Sequence, residues 1–146
     1  MDPQRNPADV VHSLAAFTTA HDLDALVACF ADDYTNETPA HPARGFQGAA
    51  QVRRNWAQLF AGIPDLRAQV LSTVTAGDTV WSEWEMTGTR PDGAAHLLRG
   101  VIIFVVSYDR IASARFYLEP VDRSGSGVDD AIAGAVGDVP APGSGR

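Results

Sequence analysis

Four histidines, one cysteine, 18 carboxylates and 11 arginines are what this 146-residue chain offers for chemistry. Their types and spacing exclude most of it. Cys29 stands alone, so neither an intrachain disulfide nor a cysteine-rich zinc site can form. His12, His21, His41 and His96 are scattered without the spacing of metal ligands. Ser13, Ser72 and Ser107 lack the strand–turn–helix context of a hydrolase nucleophile. Asp22, Asp24, Asp32 and Asp33 fall at predicted helix ends, where capping and solvation occupy them. Acid–base chemistry is the class left open. It needs a carboxylate or imidazole sheltered from water, so that desolvation moves its pKa into a useful range.

The bulk properties narrow the partners. A net charge of -7 and a pI near 4.8 repel phosphate backbones and anionic lipid, so nucleic acid is not expected as a partner. No apolar run approaches the roughly 20 residues of a membrane span. The first residues lack the apolar core of a secretion signal, which leads to the expectation of a cytoplasmic protein.

Periodicity supplies the elements. Val10, Leu14 and Phe17 form one helical stripe, which Asn6 or Asp9 could cap; Leu26, Val27 and Phe30 form the buried face of a second helix. Tyr34 to Thr38 reads as a short strand, and the prolines and glycines from Pro39 to Gly48 as a long loop. Val52, Trp56, Leu59 and Phe60 mark a third helix. From Leu66 the period changes to two, giving strands near 66–75, 79–89, 95–107 and 110–119. Residues 1–7 read as a flexible arm, 8–122 as one domain, and 123–146 as a flexible tail rich in glycine, serine, proline and alanine, with a weak helix at Val128–Val136.

Four stretches in this order carry a resemblance: HDLDAL with FADDY, GFQG, WEMTGT, and RGVIIF with DRI and YLE. Together they resemble the SnoaL-like polyketide cyclases of the nuclear transport factor 2-like, or ketosteroid isomerase-like, superfamily. The resemblance implies an α+β fold, with three N-terminal helices packed in the concave face of a curved, mostly antiparallel sheet, a cone-like cystatin-type barrel. It also implies a small-molecule pocket between helices and sheet.

Strand parity carried over from that family puts Thr35, Glu37, Ser82, Trp84, Met86, His96, Leu98, Ile102, Phe116 and Leu118 on the pocket face, with Trp56 from the third helix. The family's best-known catalytic groups are absent. The ketosteroid isomerase base falls at Thr38 and its oxyanion donors near Leu14 and Gly100; the epoxide hydrolase trio falls at Trp84, Met86 and Phe116. Glu37 is then the expected general base, with His96 or Ser82 donating to an oxygen that gains charge. Such chemistry covers cyclisation, dehydration and double-bond shifts on a hydrophobic, oxygenated, polyketide-like molecule of secondary metabolism, and requires no cofactor or metal. The competing reading is a non-catalytic binding or accessory domain, in which Glu37 faces the pocket mouth or pairs with Arg44. On the opposite parity, Trp81, Val101, Ile103 and Tyr117 among Glu83, Glu85, Arg99 and Arg115 suggest a homodimer through the convex sheet face.

Overall fold

The computed structural model describes residues 6–137. Helix α1 (Pro7–Ala20) starts where the sequence supplies both an N-cap and a preset φ. Asn6 Oδ1 accepts from the Ala8 N–H at 2.9 Å, and Pro7 occupies the first turn. The helix therefore begins inside the expected arm; residues 1–5 lie outside the described residues. Val10, Val11, Leu14, Ala15 and Thr18 are its buried side. His21 ends it with a left-handed φ of 56°. This histidine is not a solvated turn residue: its Nε2 lies 2.9 Å from the Leu66 carbonyl oxygen, and its ring stacks on Phe60 at 4.3 Å.

Helix α2 (Leu23–Ala28) is capped by Asp22, whose carboxylate accepts from the Ala25 N–H. Strand β1 (Phe30–Glu37) follows at once, so Phe30 opens a strand rather than closing a helix. A 3-10 turn (Pro42–Arg44) and the two-residue strand β2 (Phe46–Gln47) lead into α3 (Ala49–Gly62). The meander β3 (Arg67–Ala76), β4 (Thr79–Thr89), β5 (Ala95–Ser107) and β6 (Arg110–Pro120) completes one six-stranded sheet in the order β2-β1-β6-β5-β4-β3. β1 runs parallel to β6, and all other pairs are antiparallel. The fold is thus α+β as expected, with a curved sheet that is open rather than closed into a barrel.

The core lies between α1, α2, α3 and the inner sheet face. Val80, Trp84, Ile102, Phe104, Val106 and Ile111 are almost wholly buried there against Val10, Val11 and Leu26. Each such aliphatic or aromatic side chain stabilises the fold by about 1.5–3 kcal/mol on burial. The tail is not uniformly irregular. It forms α4 (Val128–Val136), whose Val128, Ile132 and Val136 are all exposed. Residues 138–146 of the expected tail lie outside the described residues.

Candidate ligand pocket

Inside the sheet's curve lies a cavity of about 280 Å³. The strands supply Phe30, Tyr34 and Asn36 from β1, Met86 from β4, Leu98 from β5, and Phe116 and Leu118 from β6. α3 lays Val52, Asn55, Trp56 and Leu59 across it, and Thr38, Arg44 and Phe46 close the side formed by the β1–α3 connection. Behind it a recess of about 20 Å³ is bounded by Trp84, Ile102, Phe104, Leu14 and Thr18, with Phe30, Trp56, Met86 and Phe116 shared between the two spaces. The expected residues Trp56, Met86, Leu98, Phe116 and Leu118 therefore line the cavity, and Trp84 and Ile102 line the recess.

β1 departs from expectation. Its buried residues are Phe30, Tyr34 and Asn36, while Glu37 is exposed and Thr35 faces away from the cavity, accepting from Gln47 Nε2 at 3.5 Å. The cause is physical. Tyr34 is the one large ring in Asp32-Asp33-Tyr34-Thr35-Asn36-Glu37, and burying that ring turns its odd-numbered neighbours outward. The pairing with β6 also shifts register between Phe30 and Thr35. Glu37 is thus not the sheltered carboxylate of the pocket. It forms no ion pair with Arg44 among the described residues.

Ser82 is buried but already engaged. Its hydroxyl donates to the Ile102 carbonyl at 2.6 Å and accepts from Trp84 Nε1 at 2.8 Å. It fixes the Trp84 ring and lines neither the cavity nor the recess.

His96 also misses the cavity. It lies in an adjoining cleft with Arg90, Pro91, Gln58 and Gly62, which shares Arg44, Asn55 and Leu59 with the cavity. Burial, and then the charge of Arg90, hold its pKa below the ordinary 6.5. A depressed imidazole pKa means that the folded state resists protonation. Its contribution to stability is present above pH 6.5 and is lost as pH falls through the folded-state midpoint. In an NMR titration the His96 ring signals should show a midpoint below 6.5, and a midpoint above it would contradict this environment.

Missed by the sequence reading is a polar pair in the wall. The Tyr34 hydroxyl donates to Asn36 Oδ1 at 2.7 Å, with Tyr34 1% and Asn36 8% exposed. Burial pushes the phenol above the ordinary tyrosine range, so it stays protonated and donating. Asn36 Oδ1 is therefore taken, and the amide N–H groups are what Asn36 retains for a ligand. Edge-on contact of Tyr34 with Phe30 at 4.7 Å fixes the ring. Two alternate polar residues, Tyr34 and Asn36, one of them bulky and aromatic, were the available signal for this pair. Among the described residues, no carboxylate and no imidazole lines the cavity. Among the described residues no three His, Cys, Asp or Glu side chains gather as a metal site, and no helix is long and apolar enough to cross a membrane.

An open cone of six strands over three helices, with an apolar cavity in its curve, is the nuclear transport factor 2-like, ketosteroid isomerase-like α+β fold. Residues 10–114 match the SnoaL-like domain, and the chain belongs to that family. Among solved structures it is similar to IdmH of Streptomyces antibioticus, a proposed polyketide cyclase, at 21% identity and a TM-score of 0.69, over 79% of this chain and 93% of that one. It is also similar to Rv0760c of Mycobacterium tuberculosis, in complex with estradiol-17β-hemisuccinate, at 21% identity and a TM-score of 0.67, over 77% and 94%. A third is a ketosteroid isomerase-like protein of Catenulispora acidiphila in complex with trimethylamine, at 23% identity and a TM-score of 0.65, over 74% and 84%. No curated protein matches the sequence.

Proposed function

We propose that this chain binds a hydrophobic small molecule bearing a carbonyl or hydroxyl oxygen, with the apolar body between α3 and the sheet and the oxygen at Asn36. The observation that carries this reading is a cavity walled by Trp56, Met86, Leu98, Phe116 and Leu118, with the Tyr34–Asn36 pair as a fixed polar point. The volume of about 280 Å³ suits a ligand of one or two rings. Similarity to a proposed polyketide cyclase and to a steroid-ester complex supports the same ligand class. Because the lining supplied by the described residues holds neither carboxylate nor imidazole, binding is favoured over proton abstraction. A second reading, cyclase or isomerase chemistry without a cofactor, rests on Asn36 polarising a ligand carbonyl rather than on Glu37 or His96 as a base.

The test uses prodan, a neutral naphthyl ketone whose emission reports both burial and hydrogen bonding. Wild type should bind it at micromolar concentration. Trp56→Ala should weaken binding about tenfold, since it removes an aromatic wall. Glu37→Gln should leave binding unchanged, because Glu37 is exposed. Absence of binding, or its loss in Glu37→Gln, would sink the proposal.

We further propose a homodimer through the outer sheet face. Val74 and Trp81 are cross-strand neighbours, 70% and 51% exposed, Tyr117 is 42% exposed, and the Arg99–Glu85 ion pair at 2.7 Å lies beside them. Ile103, expected in this patch, is only 2% exposed and contributes little. Sedimentation equilibrium should give a species of twice the 15.5 kDa chain; a monomer at micromolar concentration would refute it.

A further inference from the structure

Arg44 stands where the apolar cavity meets the cleft of His96, and it lines both. The chain carries 18 acidic against 11 basic residues, yet among the described residues only four arginines form ion pairs, and of those that do not, Arg44 alone lines the cavity or the cleft. Arg53 pairs with Asp24, Arg90 with Asp92, Arg99 with Glu85 and Arg110 with Asp32. Arg44 has no such partner among the described residues, and no Asp or Glu lines either concavity. Among the described residues, its exposed guanidinium therefore has no carboxylate to neutralise it.

Its neighbour at this junction reinforces the sign. Asn55 also lines both spaces, and its Oδ1 accepts from Gln51 Nε2 at 2.7 Å. What Asn55 has left to offer is N–H donors. Arg90, in the same cleft, adds a second cation, tempered by Asp92 at 3.3 Å. The junction thus presents donors and positive charge beside an apolar cavity, which is the arrangement that holds an oxyanion joined to a hydrophobic body.

Building on the proposed ligand pocket, we propose that the ligand is an amphipathic organic anion. Its rings occupy the cavity, and its carboxylate, sulfonate or phosphate oxygens are held at the mouth by Arg44 with Asn55. Arg44 is then the residue that selects charged over neutral ligands of the same shape.

Two fluorescent probes with one shared body test this. 1-Anilinonaphthalene-8-sulfonate carries the anion, and N-phenyl-1-naphthylamine lacks it. Wild type should bind the sulfonate at least about tenfold more tightly than the amine, and the preference should shrink with added salt as charges are screened. Arg44→Gln should erase the preference by weakening the sulfonate alone, and Arg44→Lys should restore part of it. Arg53→Gln, an exposed helix arginine outside both concavities, should alter neither probe. Trp56→Ala should weaken both probes. If both probes bind equally to wild type, or if Arg44→Gln keeps the preference, the anion assignment is wrong while the pocket reading stands. If the neutral amine does not bind and Trp56→Ala leaves the sulfonate unchanged, the pocket reading itself fails, and this inference fails with it.

Discussion

Gly100→Ala is expected to remove at least about 3 kcal/mol of folding stability, combining a strained backbone with overpacking. Gly100 sits mid-strand in β5, opposite Trp84 on β4 and Leu118 on β6. Its φ is +152°, which L side chains rarely adopt, and a Cβ built there would lie 2.1 Å from the Tyr117 carbonyl oxygen and 2.9 Å from the Leu118 Cα. Those are backbone atoms of the neighbouring strand, so no rotamer change can relieve the contact. Only glycine accepts both that φ and that approach, which lets β6 close on β5 at this point. Gly88→Ala makes the instructive comparison. There the Cβ would meet the Ile63 Cγ2 at 2.4 Å, a branch methyl that moves only if the buried Ile63 side chain shifts, but no positive φ adds strain and the nearest atom is not backbone, so the loss should be smaller than at Gly100. Urea denaturation reads both through the midpoint at constant slope. A Gly100→Ala protein within about 1 kcal/mol of wild type would show that the close approach of β5 and β6 does not depend on the missing side chain, since natural domains carry only about 5–15 kcal/mol in total.

Most of the architecture was legible because it rests on periodicity. Strands at 79–89 and 95–107 were readable from alternation alone, and the structure places β4 and β5 over the same residues. On those long strands a turn at each end and many paired residues fix the parity, so Met86, Leu98 and Ile102 fall on the inner face as expected. β1 offered no such redundancy. It is short, mostly polar, paired in parallel with β6, and shifted in register part-way along. One step in parity exchanges Thr35 and Glu37 for Tyr34 and Asn36, and with them a carboxylate base for a hydrogen-bonding pair. Arg44 entered only as a partner for Glu37, because its own place at the cavity depends on how a glycine- and proline-marked loop returns to the sheet, and periodicity does not encode that path. Asn55 lies on α3 three residues after Val52 and four before Leu59, so helical spacing puts it on the cavity face, and its polarity alone set it apart from the apolar stripe. His96 was assigned to the right strand, but its position near the open end carries it past the cavity into the neighbouring cleft.

Tyr34→Phe and Asn36→Leu should each cost about 1–3 kcal/mol of stability, the usual penalty for leaving one buried polar partner unpaired. Tyr34→Phe strands Asn36 Oδ1, and Asn36→Leu strands the phenol hydroxyl, because the two groups are each other's hydrogen-bond partners at 2.7 Å. With both side chains 8% exposed or less, water cannot readily replace the lost bond. The double variant removes both polar groups together, so its cost should fall well below the sum of the single costs. The same substitutions separate architecture from recognition. With prodan, Asn36→Leu should weaken binding about five- to tenfold and shift emission to the blue, as a ligand carbonyl loses one neutral hydrogen bond. N-phenyl-1-naphthylamine, which has no oxygen, should bind Asn36→Leu as well as wild type or better. Tyr34→Phe should have the smaller effect on prodan, because the phenol orients the Asn36 amide and the amide meets the ligand. Additive stability costs would mean that the pair does not act as a unit. Equal losses for the ketone and the oxygen-free probe would mean that Asn36 shapes the wall without recognising a ligand oxygen.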